Sequence, residues 1–156
     1  MVRWLLAAIV VGAGTSDPDA NGDLCKAVRL LWEHYPDQYA LTEPAWVSLT
    51  RPTVGEAIDR CRRLGAERIV VAPYFLNTGV LLKRLDARLA EAREQHPELS
   101  ITRAAHFGPH PRLLDLLERR ARAGFEAAEP DSHLLAVCGR PSCAAVASGR
   151  AALRGD

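Results

Sequence analysis

Neither sign of charge dominates this chain. Its 20 Lys and Arg residues face 19 Asp and Glu, leaving a formal net charge of +1 over 156 residues. That balance removes the electrostatic footprint expected of a nucleic-acid binder. Lysine is scarce and arginine abundant, which reads mainly as compositional bias, with arginine's fit to carboxylates and phosphates a second reading. Long apolar runs are missing as well. The one near the start, in MVRWLLAAIVVGAG, is too short to span a bilayer. Three familiar fingerprints are absent. A dinucleotide loop needs a third glycine where Asp17 stands, and an acidic residue at the end of the second strand. A phosphate loop needs Gly-Lys-Ser/Thr, which does not occur. Neither Ser16 nor Ser48 lies in a Gly-x-Ser-x-Gly elbow, which speaks against hydrolase chemistry.

Cysteine is sparse, at 4 residues. Cys25 and Cys61 fall on the apolar sides of expected helices, where a free thiol acts as a small hydrophobe. Cys138 and Cys143 have no companion His or Cys pair at zinc-finger spacing, so a metal or disulfide role for them stays open beside free thiols. A reducing cytoplasm is the simplest compartment for such a chain.

What is present is an ordinary globular composition, 48% hydrophobic and 25% charged, sized for one domain with a real core. The first apolar run has the shape of a signal peptide, but it also suits a buried strand from Trp4 to Val11, and a helix start follows at once. Asp17 is a good N-cap with Pro18 behind it, opening a helix to about His34 with Leu24, Ala27, Val28 and Leu31 on one face. A second strand, about Ala40 to Leu49, contains Pro44 and so belongs at an edge. Thr53 and Glu56 read as a capping box for a helix burying Val54, Ala57, Ile58, Cys61 and Leu64, stopped by Gly65. A third strand spans Arg68 to Tyr74, and the turn at Asn77, Thr78 and Gly79 leads into a helix with Leu82, Leu85 and Leu89 inside. A fourth strand runs from about Leu99 to Ala105, and Pro111 opens a last helix ending near Gly124. We see no internal repeat. The alternation predicts an α/β fold: a small doubly wound parallel sheet of order 2-1-3-4, flavodoxin-like, over residues 1–125. Residues 126–156 read as a loose tail with one short element near Leu134 to Val137.

In such a sheet, ligands bind beyond the carboxyl ends of the strands at the switch point, here between strands one and three. Gly12, Gly14, Thr15 and Ser16 would then face Asn77, Thr78 and Gly79, with His106 nearby at the end of strand four. The glycines allow close approach, the hydroxyls can bond, and helix N-termini attract anions, with Lys83, Arg84 and Arg112 near the starts of helices three and four. Equally, glycine turns after a first strand are common, and such cations can be merely solvated. His110 suits the start of helix four, while His34, His96 and His133 fit solvated positions.

The residues from Val10 to Asn21, VVGAGTSDPDAN, resemble the first-strand motif of the cobalt and iron sirohydrochlorin chelatases. Ala72 to Val80, APYFLNTGV, is similar to their third-strand motif, and Phe107 to Leu113, FGPHPRL, to the segment before their last helix. The likeness covers about Leu5 to Gly124. It implies a chelatase-like half-domain associated with insertion of Co²⁺ or Fe²⁺, as substrate metal and with no further cofactor or ATP, into sirohydrochlorin for cobalamin or sirohaem. It implies a tetrapyrrole held by helix N-termini and arginines, and histidines that present the metal and accept pyrrole protons. The family's two histidine places are Ala13 and Leu81 here. The chain, Gly22 to Trp32 included, therefore looks like the histidine-poor second half of two-half members, silent when isolated. His106 is the one candidate left for metal. Because the chain starts just before strand one, no covalent partner is expected ahead of it, and association with a second copy or with a histidine-bearing half is expected instead. A silent scaffold, or a binder of another anion or metal on the same fold, are the competing readings. Neither nucleic acid nor membrane is an expected partner.

Overall fold

The computed structural model describes residues 5–126. Cys138, Cys143, His133 and the element expected near Leu134 lie outside those residues. The chain divides into two compact units, residues 1–109 and 110–156. Within the described residues the first unit contains β1 (Leu6–Gly12), α1 (Pro18–His34), β2 (Leu41–Trp46), α2 (Val54–Arg63), β3 (Arg68–Pro73), α3 (Val80–Gln95) and β4 (Ser100–Arg103). The second contains α4 (Pro111–Glu126), which runs through Gly124 rather than stopping there.

The four strands form one parallel sheet in the order β2-β1-β3-β4. Pro44 sits opposite Val10 on the edge strand β2, where a missing N–H costs no ladder bond on its open side. Alternate residues of β1 serve opposite faces. Ala7, Ile9 and Val11 point into a core closed by Ile58 and Cys61 of α2 and by Leu85 and Leu89 of α3. Val10 points the other way, against Leu24 and Val28 of α1 and Trp46. Helices thus cover both faces, as the alternation of elements implied.

Local signals set the helix ends. The Asp17 carboxylate accepts from the Asp19 N–H at 2.9 Å ahead of Pro18. Thr53 and Glu56 make the reciprocal capping box, and α2 ends with the Gly65 N–H on the Arg62 carbonyl and the Ala66 N–H on the Cys61 carbonyl. Two side chains depart from expectation. Leu64 is exposed, because it follows the last helical turn and no longer shares the stripe of Ile58 and Cys61. Cys25 is exposed too, one residue round the helix from buried Leu24. Cys61 is fully buried, and burial pushes its thiol up to about 11. Alkylation of the native protein at pH 8, followed by peptide mapping, should label Cys25 quickly and Cys61 only on unfolding. Equal labelling of both would contradict this packing.

Candidate functional site

Four loops leave the carboxyl ends of the strands in the first unit. The loop after β1 and the loop after β2 are tied together. The Ser48 N–H and Ser48 hydroxyl both donate to the Ala13 carbonyl at 3.0 Å, the Val47 N–H donates to the Gly12 carbonyl, and the Thr50 hydroxyl donates to the Thr15 carbonyl. The glycines serve this junction. Gly14 has φ +86°, and a Cβ there would lie 1.8 Å from the Ser48 carbonyl oxygen. A Cβ on Gly12 would lie 2.9 Å from Leu24 Cδ2 and 3.4 Å from the Trp46 ring. The space that glycine leaves at both positions is therefore used by the protein itself.

Thr15 is similarly occupied. Its N–H donates to Asn21 Oδ1, its carbonyl accepts from Asn21 Nδ2, and its hydroxyl accepts from the Asp17 N–H, so only its hydroxyl proton is left to offer. Ser16 is exposed. Ala13 is exposed at the tip of this loop, with its carbonyl held by Ser48.

The loop after β3 is built differently. The Tyr74 N–H bonds the Val11 carbonyl, and the Phe107 N–H bonds the Phe75 carbonyl at 3.0 Å, which sets the β3 and β4 loops side by side. Asn77, Thr78 and Gly79 are exposed. Gly79 caps α3 without a side-chain hydrogen bond, and the first turn of α3 has no acidic residue. In contrast, Asp17 and Asp19 neutralise the start of α1, and Thr53 and Glu56 that of α2. The positive end of α3 is thus left for solvent or an external anion. Lys83 and Arg84 are exposed one turn in, and neither pairs with a carboxylate among the described residues. Other arginines are engaged: Arg60 with Glu43, Arg103 with Asp86, Arg63 with Asp59. Leu81 is half-buried in the same first turn.

His106, in the β4 loop, is half-buried and has no hydrogen-bond partner among the described residues; its Nε2 lies 3.7 Å from where a Gly108 Cβ would be. No group of three or more His, Cys, Asp or Glu able to hold a metal ion occurs among the described residues. Arg112 belongs to the second unit, where its N–H bonds His110 Nδ1 at 3.2 Å and starts α4. No described helix is long and apolar enough to cross a membrane.

Sequence reasoning did not select the large apolar residues at this end of the sheet. Leu49, Tyr74, Leu76, Val80 and Phe107 are 85%, 51%, 53%, 62% and 52% exposed. Their signal was positional: Leu49, Tyr74, Leu76 and Phe107 lie in loops within four residues of a strand end, where no helix or strand period can bury them, and Val80 is the first residue of α3. A depression of about 730 Å³ lies at the opposite end, by Arg62, Glu67, Arg68 and Glu98 at the amino ends of β3 and β4. Its charges are mixed, and it is remote from the switch point.

Comparison with known proteins bears on this arrangement. The CbiX family model matches residues 7–123. The chain is 45% identical over 120 residues to the sirohydrochlorin cobaltochelatase of Priestia megaterium, across 77% of this chain and 39% of that protein. It is 30% identical over 131 residues to the chloroplastic sirohydrochlorin ferrochelatase of Arabidopsis thaliana, across 83% of this chain and 57% of that one. The chain therefore spans well under two thirds of these relatives. SirB from Bacillus subtilis with Fe³⁺ shares the fold, with a TM-score of 0.68 at 20% identity over 74% of this chain and 46% of that chain. So does the putative cobalamin biosynthesis CbiX protein of Marinobacter aquaeolei VT8, with a TM-score of 0.62 at 24% identity over 80% of this chain and 98% of that one.

Proposed function

Because the chain belongs to the CbiX family of sirohydrochlorin chelatases, we propose that it forms one wall of a cleft in which Co²⁺ or Fe²⁺ enters an anionic tetrapyrrole. The observation that carries this reading is the start of α3, which no side chain caps, with Lys83 and Arg84 beside it unpaired among the described residues, at the switch-point end of the sheet. Sirohydrochlorin is ringed with carboxylates. One such carboxylate at a helix N-terminus gains about 0.3–1 kcal/mol, and cations nearby add to it. Asn77 and Thr78 can bond a second carboxylate, and Ser16 a third.

Insertion exchanges two pyrrole protons for one divalent ion, so the active unit needs donors for the metal and acceptors for the protons. Ala13 and Leu81 provide neither. The histidines accordingly come from a partner, either a histidine-bearing half or another chain, and the isolated domain binds without turning over. Its span of 39% and 57% of two longer relatives supports the half-unit reading.

Absorbance titration of the purified chain with metal-free sirohydrochlorin tests the binding step. Kd should rise about five-fold between low and near-molar salt, because the attraction joins partly exposed charges that salt screens. Absence of binding at low salt would leave a silent scaffold as the better account.

A further inference from the structure

The carboxyl end of the sheet carries a second feature that the charges do not explain. Tyr74 and Phe107 meet edge to face, with centroids 5.3 Å apart and planes at 88°, yet each is about half exposed. Their backbones are held from beneath by the Val11 and Phe75 carbonyls, so the pair is a fixed ledge and not a loose tip. On the other side of β1, Leu49 adopts φ +61°, which a γ-branched residue takes up only at a cost, and its side chain is 85% exposed. The neighbouring Ser48 and Thr50 are pinned to Ala13 and Thr15, so the loop holds Leu49 outward. Strained backbone presenting an apolar side chain to water has no account in the packing of the described residues.

We infer that Leu49, Tyr74 and Phe107 form an apolar floor for one face of a flat macrocycle, while Lys83 and Arg84 meet its carboxylate rim. This rests on the proposed tetrapyrrole reading and adds which residues touch the ring and by what force. β2 and β3, which lead into Leu49 and Tyr74, lie two strand spacings apart in the sheet, or roughly 10 Å. The separation suits a single rigid ring system better than a small anion. The cations at the same end, unpaired among the described residues, select an occupant that is apolar in its plane and acidic at its edge.

The test is titration of the full chain with metal-free sirohydrochlorin at low and high salt, beside three variants. Tyr74→Ala with Phe107→Ala should raise Kd about ten-fold at both salt concentrations, the usual scale for lost stacking. Lys83→Gln with Arg84→Gln should raise it only at low salt. Leu49→Gly relieves the backbone and should melt no lower than the native chain, yet bind several-fold more weakly. Tyr74→Phe, which keeps the ring, should bind as the native chain does and controls for misfolding. Native-like binding by both the aromatic pair variant and Leu49→Gly overturns the inference and leaves the tetrapyrrole reading intact. Failure of the native chain to bind overturns both. Variants that change self-association in light scattering but not ring binding would show that the floor meets a second protein surface, and would also overturn it.

Discussion

Gly14→Ala should destabilise the first unit by about 3 kcal/mol or more, the range in which forced backbone strain and steric overlap combine. The position is closed to a side chain twice over. Its φ of +86° disfavours any L residue, and the added Cβ would fall 1.8 Å from the Ser48 carbonyl oxygen and 2.9 Å from the Ser48 carbonyl carbon. Backbone cannot yield there as a side chain would. Relief requires the loops after β1 and β2 to part, and the Ser48 and Thr50 bonds to Ala13 and Thr15 go with them. Each such bond is worth about 0.5–1.5 kcal/mol net. Two other glycines calibrate the effect. At Gly12 the obstacle is the end of the Leu24 side chain, which can shift, so Gly12→Ala should cost about 1 kcal/mol. Gly22 sits within α1 with open space around it, and Gly22→Ala should stabilise by about 0.5–1 kcal/mol. Urea unfolding of the three variants gives the series directly. A Gly14→Ala protein within 1 kcal/mol of the native chain would mean that the loop junction is looser than described.

That series also marks how far the sequence could be read. The β-α alternation, Pro44 on an edge strand, the Asp17-Pro18 start and the Thr53/Glu56 box are local signals, each decided within a few residues, and the sheet order follows from them by chain geometry. The first loop was harder. Glycines at 12 and 14 read equally well as room for a ligand or as room for the protein, and only the path of β2 puts the Ser48 carbonyl into that room. Cys25 shows a similar limit: a step of one residue turns a helical side chain by about 100°, enough to move a thiol from core to solvent beside an inward-facing Leu24. Leu49, Tyr74 and Phe107 look like core residues in composition. Their exposure depends on the strands ending one to four residues before them, and strand ends are not sharply encoded. The start of α3 was legible in outline, as the Asn77-Thr78-Gly79 turn before a helix with Lys83 and Arg84 near its start, although the absence of partners for those two among the described residues needed the surrounding carboxylates to be located.

Replacing Ala13 and Leu81 together by histidine should raise the rate of Co²⁺ insertion into sirohydrochlorin by about 10²-fold over the native chain, the lower range for placed acid–base groups. The native chain should insert no faster than the uncatalysed reaction. Ala13 is exposed, and its carbonyl is fixed by Ser48, so a histidine there has a defined origin and free space. Leu81 is half-buried in the first turn of α3, next to the cations that would hold the substrate's rim. One imidazole can carry a hydrated metal but cannot both present it and clear two protons, so the single variants should gain little. The rate should climb with pH through about 6–7, because only neutral imidazole binds metal or accepts a proton. Mixing the native chain with an active histidine-bearing half should give the same gain without mutation, and covers the case in which Leu81→His disturbs the helix. Native turnover that His106→Ala abolishes would refute the silence of the isolated chain and assign the metal to His106 instead. If the double variant folds and binds sirohydrochlorin, yet neither it nor the mixed halves insert metal above background, then the cleft does not bring residues 13 and 81 to the ring, and the half-enzyme reading falls.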